Sequence, residues 1–157
     1  MNRLIWITLF WFVAAGRAEP FPPASPHGYL YFGSVKDSSR EGKPLLLGGG
    51  GEYPIRNGFT AAADFSYLYL HQKGFVLLSV GSGRHFGPWE GVAPFVNAGY
   101  GLALHGPARN LFYFGGGVTR WFNQRVGARV EVRDSLASSC RCGTTHFLQF
   151  RIGLTIR

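Results

Sequence analysis

Apolar and polar residues alternate with a period of two at the end of the chain, HFLQFRIGLTIR. Leu148, Phe150 and Ile152 occupy one set of positions, whereas Gln149 and Arg151 occupy the positions between them. A period of two is that of a β-strand, whose successive side chains point to opposite faces of a sheet. The same alternation runs through residues 126–134 and 59–70, so the pattern predicts strands with one apolar and one polar face.

Eight segments of this kind can be counted between turn and loop sequences. They cover residues 28–35, 45–53, 59–70, 75–86, 92–104, 111–122, 126–134 and 146–157. The connections PIRNG, GPWEG and NQR are tight, and they alternate with KDSSREGK, HQK, HGPARN and SLASSCRCGTT, of which the first and last are long. An even number of strands of about 9–11 residues is typical of barrels that cross a membrane. We therefore predict an all-β fold, an eight-stranded antiparallel up-and-down transmembrane β-barrel with its tight turns in the periplasm.

The N-terminus has the features of a secretory signal peptide. Arg3 precedes the apolar run LIWITLFWFVAA, which is shorter than the roughly 20 residues of a spanning helix. Small residues up to Ala18 then offer a cleavage site. The sequence predicts a signal peptide at 1–18, a proline-rich lead-in at 19–27 and an outer-membrane barrel at 28–157, with an uncleaved anchor as the alternative.

Composition agrees with a β-rich protein that has a non-aqueous surface. Charged residues make up 15%, against roughly 25% in soluble domains, while 16% are aromatic and 23 residues are glycine. The net charge is +8, but the basic residues are scattered and form no Lys/Arg run of the kind that binds nucleic acid. We expect outer-membrane lipids as partners and no nucleic acid.

Charged residues share the polar face of the predicted strands. In a barrel they would meet in the lumen as a network of ion pairs, because a buried charge without a partner is costly. A proton or ion path, or acid–base catalysis by paired carboxylates, is the functional alternative. The predicted network consists of Glu52, Asp64, Arg129, Glu131, Arg133 and Arg151. The predicted lipid-facing residues are Val130, Val132, Leu148, Phe150, Ile152 and Leu154.

Other residues that could take part in catalysis or ligand binding give weaker signals. The glycine runs 48–51 and 115–117 lack the Lys-Ser/Thr of a phosphate loop and are expected to mark bends in the wall. Cys140 and Cys142 form C-x-C, which is not the usual zinc spacing, so no metal and no cofactor are predicted. The GxSxG turn of serine hydrolases is absent. The predicted outer loops bring His71, His105 and His146 near one rim.

Aromatic residues lie near strand ends as often as in strand centres, and Trp and Tyr belts are expected of membrane barrels. The residues considered for such belts are Tyr29, Tyr31, Phe32, Tyr67, Tyr69, Trp89, Tyr100, Tyr113, Trp121 and Phe122. Arg84 and Arg120 lie near inner turns, where long side chains can extend to lipid headgroups.

Four segments resemble the bacterial outer-membrane β-barrel domain family, the OmpA-like transmembrane group. They are GGGGEYPIRNGFTAAADFSYLY, VAPFVNAGYGLAL, LFYFGGGVTRWFNQRVGARVEVRD and HFLQFRIGLTIR, which together extend over nearly all of the predicted mature chain. The shared features are Gly-Tyr-Gly at 99–101, a Gly-Gly-Gly-Val strand entering a Trp-Phe-Asn turn, and Arg-Ile-Gly-Leu in the last strand. The resemblance implies an eight-stranded antiparallel barrel with a structural, adhesive or unknown role.

The sequence therefore predicts a monomeric, non-enzymatic barrel of the bacterial outer membrane with a lumen filled by side chains. Its role would be structural or a surface interaction through the outer loops, whose ligand the sequence does not identify. Two alternatives remain. A lipid-modifying barrel enzyme would use a rim residue such as His105 or His146 with a nearby serine. A soluble periplasmic lipocalin-like carrier would have its apolar residues pointing inward.

Overall fold

The computed structural model describes residues 25–37, 44–70, 73–87, 92–104, 109–139 and 143–157. The predicted signal peptide and most of the predicted lead-in lie outside these ranges. Within them the chain forms eight strands. They are β1 (His27–Asp37), β2 (Leu45–Arg56), β3 (Phe59–Leu70), β4 (Lys73–His85), β5 (Val92–Leu104), β6 (Arg109–Trp121), β7 (Val126–Ser139) and β8 (Gly143–Ile156).

Each strand pairs antiparallel with its sequence neighbour, and β1 pairs with β8 to close the barrel. This confirms the predicted fold class. Closure matters physically because backbone N–H and C=O groups at an open sheet edge would be unsatisfied in hydrocarbon. No helix long and apolar enough to cross a bilayer occurs among the residues that the structure describes.

The β2–β3 connection is tighter than the five-residue turn that the sequence suggested. Strand β2 continues through Pro54 to Arg56, with a register shift between these two residues. The turn is reduced to Asn57 and Gly58, whose φ angles of 53° and 79° are both positive. Asn-Gly suits a two-residue hairpin turn because both residues tolerate the left-handed backbone. We call the end of the barrel that carries this turn the turn end, and the opposite end the loop end.

The largest difference from the predicted boundaries is at the loop end of β7 and β8. The loop predicted at SLASSCRCGTT was too long, because β7 continues to Ser139 and β8 starts at Gly143. The ladder runs through pairs such as Ser135–Phe147 and Ala137–Thr145. Small and hydroxyl residues are typical of loops, but the backbone hydrogen bonds of a strand do not require apolar side chains. Cys140 and Cys142 lie outside the described residues.

The two faces of the wall differ in polarity. Large apolar side chains are exposed on the outside all around the barrel, with Leu30, Leu47, Phe65, Phe112 and Ile152 each more than half exposed. Charged and hydroxyl side chains are buried inside. The predicted lipid-facing residues Val130, Val132, Leu148, Phe150, Ile152 and Leu154 all lie on the outward side of β7 and β8, with Leu148 partly covered.

Glycines on the inward face make room for the large side chains in the lumen. A Cβ added at Gly50 would lie 2.8 Å from the Tyr29 hydroxyl oxygen, and one at Gly48 would lie 2.6 Å from that of Tyr31. Both distances are shorter than real Cβ contacts. The glycine run 48–51 is therefore part of a strand against which tyrosine rings pack. This placement agrees with its interpretation as part of the barrel wall rather than as a phosphate-binding loop.

Candidate functional site

The lumen holds a network of charged side chains contributed by four strands. At its centre, Arg133 from β7 donates from Nη1 to Asp64 Oδ2 at 3.0 Å and from Nε to Glu131 Oε1 at 2.8 Å. Arg151 from β8 contacts Asp64 Oδ1 at 3.5 Å and donates from Nε to Gln149 Oε1 at 3.0 Å. All four charged residues are nearly fully buried. The network joins β3, β7 and β8 across the barrel interior.

A second part of the network lies at the turn end, around Glu52 of β2. Arg129 donates from Nη1 to Glu52 Oε1 at 2.6 Å, and the His85 Nε2–Glu52 Oε2 distance is 2.7 Å. His27, directly opposite Glu52 in the β1–β2 register, places its Nε2 at 3.6 Å from the same oxygen. Arg129 Nε lies 3.4 Å from Glu131 Oε2 and so connects this cluster to the central network.

The structure thus brings together all six residues predicted for the lumen network. The buried Asp, Glu and Arg side chains among the described residues are three of each sign: Glu52, Asp64 and Glu131 with Arg129, Arg133 and Arg151. Each carboxylate contacts at least one guanidinium group. In the low dielectric of a protein interior this balance is what allows six charges to be buried together.

His27 and His85 belong to the network although the sequence did not indicate it. The sequence does not connect the three residues, because His27, Glu52 and His85 lie far apart in the chain and only the barrel register brings them together. The structure places the two imidazole rings edge to face, with centroids 6.1 Å apart. A signal was present, since His85 has the strand position of an inward residue in the predicted fourth segment.

Aromatic rings surround the guanidinium groups inside the lumen. Arg129 lies over Phe95 with its Cζ 3.9 Å from the ring centroid, Arg133 lies over Tyr113 at 4.1 Å, and Arg151 lies over Tyr31 at 4.5 Å. Such cation–π contacts are strongest where water is excluded. The Tyr31 hydroxyl also donates to Asp64 Oδ1 at 3.1 Å. The rings therefore fill the lumen and hold the charges in place.

These contacts correct part of the predicted aromatic belts. Tyr29, Tyr31 and Tyr113 are buried in the lumen rather than at a membrane interface. Their direction follows from strand register, since each alternates with an outward residue such as Leu30, Phe32 or Phe112. Five of the residues considered for the belts are exposed, as a position on the outer surface requires: Phe32, Tyr67, Tyr69, Tyr100 and Phe122. Trp121 is partly buried, and Trp89 lies outside the described residues.

Uncharged polar groups complete the network. Asn97 of β5 donates from Nδ2 to Glu131 Oε1 at 2.9 Å, and Gln149 donates from Nε2 to the Ser135 hydroxyl at 3.0 Å. Sequence reasoning missed Asn97 and Ser135 as members, because single amide and hydroxyl groups occur as often in loops. Among the described residues no group of three or more His, Cys, Asp or Glu side chains is placed to hold a metal ion.

One ionisable pair lies at the loop end, away from the lumen network. His146 of β8 places its Nδ1 at 3.1 Å from Asp134 Oδ2 of β7, and the His146 side chain is 54% exposed. The other rim histidines of the sequence prediction, His71 and His105, lie outside the described residues. No serine hydroxyl among the described side chains is hydrogen-bonded to His146.

Solved structures with this fold include several bacterial outer-membrane barrels. The chain is 16% identical to Neisserial surface protein A (NspA), with a TM-score of 0.64 over 83% of this chain and 94% of that one. It is 16% identical to the N-terminal β-barrel domain of Pseudomonas aeruginosa OprF, with a TM-score of 0.62 over 84% and 98%. It is 14% identical to the outer-membrane enzyme PagL, with a TM-score of 0.51 over 82% and 99%.

No protein-family model matches the sequence, and no curated protein matches it either. At these identities the structural likeness establishes the fold and leaves the activity open, because one fold carries many functions. The neighbours include both a surface protein and an enzyme. The chain has the fold of the eight-stranded barrels of the bacterial outer membrane.

Proposed function

We propose that this protein is a non-enzymatic integral barrel of the bacterial outer membrane, with a structural or surface-interaction role and a lumen closed by side chains. One observation carries the proposal. Consecutive residues of β7 and β8 alternate between paired charges inside and bare apolar side chains outside. A surface of this kind is stable only where the outside is not water.

The same observation argues against a soluble lipocalin-like carrier. A carrier barrel keeps apolar residues inside to hold its ligand, and it presents polar residues to water. Here the lumen contains Arg133 and Arg151 at 1% and 2% exposure, while Phe150 and Ile152 are about half exposed on the outside. A carrier also needs an empty interior for its ligand, whereas charged and aromatic side chains fill this lumen.

The packed lumen also argues against a wide aqueous pore. An eight-stranded barrel is only just wide enough for its own side chains. In this barrel the charged residues, the tyrosines and Phe95 contact one another across the interior. The surfaces left for a function are then the outer wall and the loop end, which is why we assign a structural or surface-interaction role.

Membrane fractionation with gel migration tests the proposal. The protein should stay with the outer-membrane fraction after salt and carbonate washes. It should also migrate faster in detergent gels before boiling than after, because folded membrane barrels resist detergent until they are heated. Release by carbonate together with unshifted migration would contradict the proposal and favour the soluble carrier.

A lipid-modifying enzyme is the second candidate, and the His146–Asp134 pair favours it. A carboxylate that orients a histidine is one part of a hydrolytic site, and the pair lies at the loop end. PagL, an outer-membrane enzyme with a similar fold, gives the candidate a structural precedent. Incubation of the purified barrel with outer-membrane lipid should then release a product, and His146→Ala should abolish the release. If the folded protein released no product, the enzyme candidate would be rejected and the non-enzymatic role would be retained.

A further inference from the structure

The outer wall of the barrel contains a groove near the turn end. Its floor is formed by Gly28 of β1, Gly51 of β2 and Ala61 and Ala63 of β3, and it is a wide, open depression with a volume of about 620 Å³. Tyr53 and Ile156 border the floor, and Pro26 and Arg157 lie at its turn end. Farther from the turn end, outward positions of the same strands carry large side chains such as Leu30, Leu47 and Phe65. The groove is therefore a gap next to these bulky apolar side chains.

The two glycines of the floor are not required by close backbone contacts. A Cβ added at Gly28 would lie 3.6 Å from the nearest heavy atom, and one at Gly51 would lie 3.7 Å away, both ordinary van der Waals distances. Inward glycines differ, since a Cβ at Gly115 would lie 2.6 Å from the Val132 carbonyl oxygen. A larger residue would thus fit the backbone at the floor, and it would fill the groove.

The turn end of the barrel is strongly basic. Its exposed arginines are Arg56, Arg84, Arg120, Arg125 and Arg157. Some are held in place by aromatic rings, since Arg157 Cζ lies 3.9 Å from the Trp121 ring centroid and Arg84 Cζ lies 5.2 Å from that of Phe59. In the described part of this end no Asp or Glu side chain is exposed, because Glu52 is buried in the lumen.

We infer that the groove binds an anionic phospholipid, with one acyl chain on the Gly-Ala floor and the headgroup phosphate at Arg157. The inference rests on the membrane location proposed above. Charge selects the occupant: an apolar groove that has Arg157 at its basic turn end matches a molecule with an apolar chain and an anionic head. A second copy of the barrel packed on this face would bring two basic turn ends together, and like charges disfavour that contact.

Native mass spectrometry of the purified, folded protein in detergent tests the inference. Phosphatidylglycerol and phosphatidylcholine with the same acyl chains serve as the two probes. Wild type should bind one phosphatidylglycerol about tenfold more tightly than phosphatidylcholine, the effect of about one charge-assisted contact. Arg157→Gln should reduce this preference to nearly one, whereas Arg84→Gln should keep it, because Arg84 is an exposed arginine of the same turn end that does not line the groove.

Filling the floor tests the acyl-chain part of the site separately. Gly51→Leu should weaken the binding of both lipids, and Gly28→Leu provides a second variant in case the first does not fold. The heat-dependent gel shift of each variant reports whether the barrel is intact. Equal binding of the two lipids by folded wild type, or equal loss of preference in Arg157→Gln and Arg84→Gln, would overturn the inference. Those results would leave the membrane location unaffected, because the gel shift tests it independently.

Discussion

Glu131 and Val132 are adjacent in β7, yet their side chains lie in different environments, one inside the lumen and one on the outer wall. Glu131 is 2% exposed and contacts Arg129, Arg133 and Asn97 inside the lumen. Val132 is 41% exposed on the outer wall. The inner face depends on specific partners, because each charge there is stable only if another balances it. The outer face depends only on being apolar, so its residues should be exchangeable within that class.

Removal of one inner charge should have the largest effect. Glu131→Leu leaves Arg129 and Arg133 with fewer acidic partners, and we expect a loss of about 3–5 kcal/mol in the free energy of unfolding. Urea unfolding of the barrel in lipid vesicles measures it. The double variant Glu131→Leu/Arg133→Met keeps the Arg129–Glu52 and Arg151–Asp64 pairs, and it should be more stable than the single variant. A double variant at least as unstable as the single one would show that charge balance is not what stabilises the lumen.

A charge on the outer face should have the next largest effect. Val132 pairs with Phe150 and Gly116 near the middle of the wall, so Val132→Arg would place a guanidinium group in hydrocarbon at a cost of about 2–4 kcal/mol. Val132→Leu is the matched control and should change stability by less than about 1 kcal/mol. The vesicle unfolding assay applies again. If the arginine variant were as stable as the leucine variant, the outer face would not be in contact with lipid.

Two glycines on opposite faces should respond differently to the same small change. A methyl group at Gly153 would overlap the Leu30 carbonyl oxygen, whereas one at Gly28 has room. We expect Gly153→Ala to cost about 1–3 kcal/mol through overpacking, and Gly28→Ala to be nearly neutral. Comparison of the two urea midpoints decides the matter. Equal midpoints would mean that the inward face tolerates added volume as readily as the outer wall does.

The smallest effect is expected at the loop end. The His146–Asp134 pair is largely open to solvent on the histidine side, so its contribution to stability should be below about 1 kcal/mol. His146→Ala should leave the urea midpoint almost unchanged. A large destabilisation would indicate that this pair is part of the structural framework and would weaken the case for a catalytic role.

The sequence was sufficient to predict eight strands and the polar face of β7 and β8, because charges and β-branched residues alternate there. It did not give the direction of the side chains in β1. In GYLYFGSV both faces carry large residues, so the pattern shows a strand but not which of Tyr29 or Leu30 points inward. Nor could it place His85 against Glu52, since that contact depends on the width of the lumen and on small residues between them, among them Thr60 and Ala62. Where both faces of a strand are bulky, or where a contact crosses the lumen, only the strand register of the folded barrel determines which side chains point inward and which of them meet.

The pairing of β1 with β8 has a consequence for biogenesis. Residues 28–37 find their second partner only in residues 147–156, at the other end of the folded chain. Until the last strand is in place, the growing sheet has two free edges and nothing to cap them, so any shortened product remains a strand template for aggregation. A chain without its final segment therefore cannot close the barrel, however well its first seven strands pair.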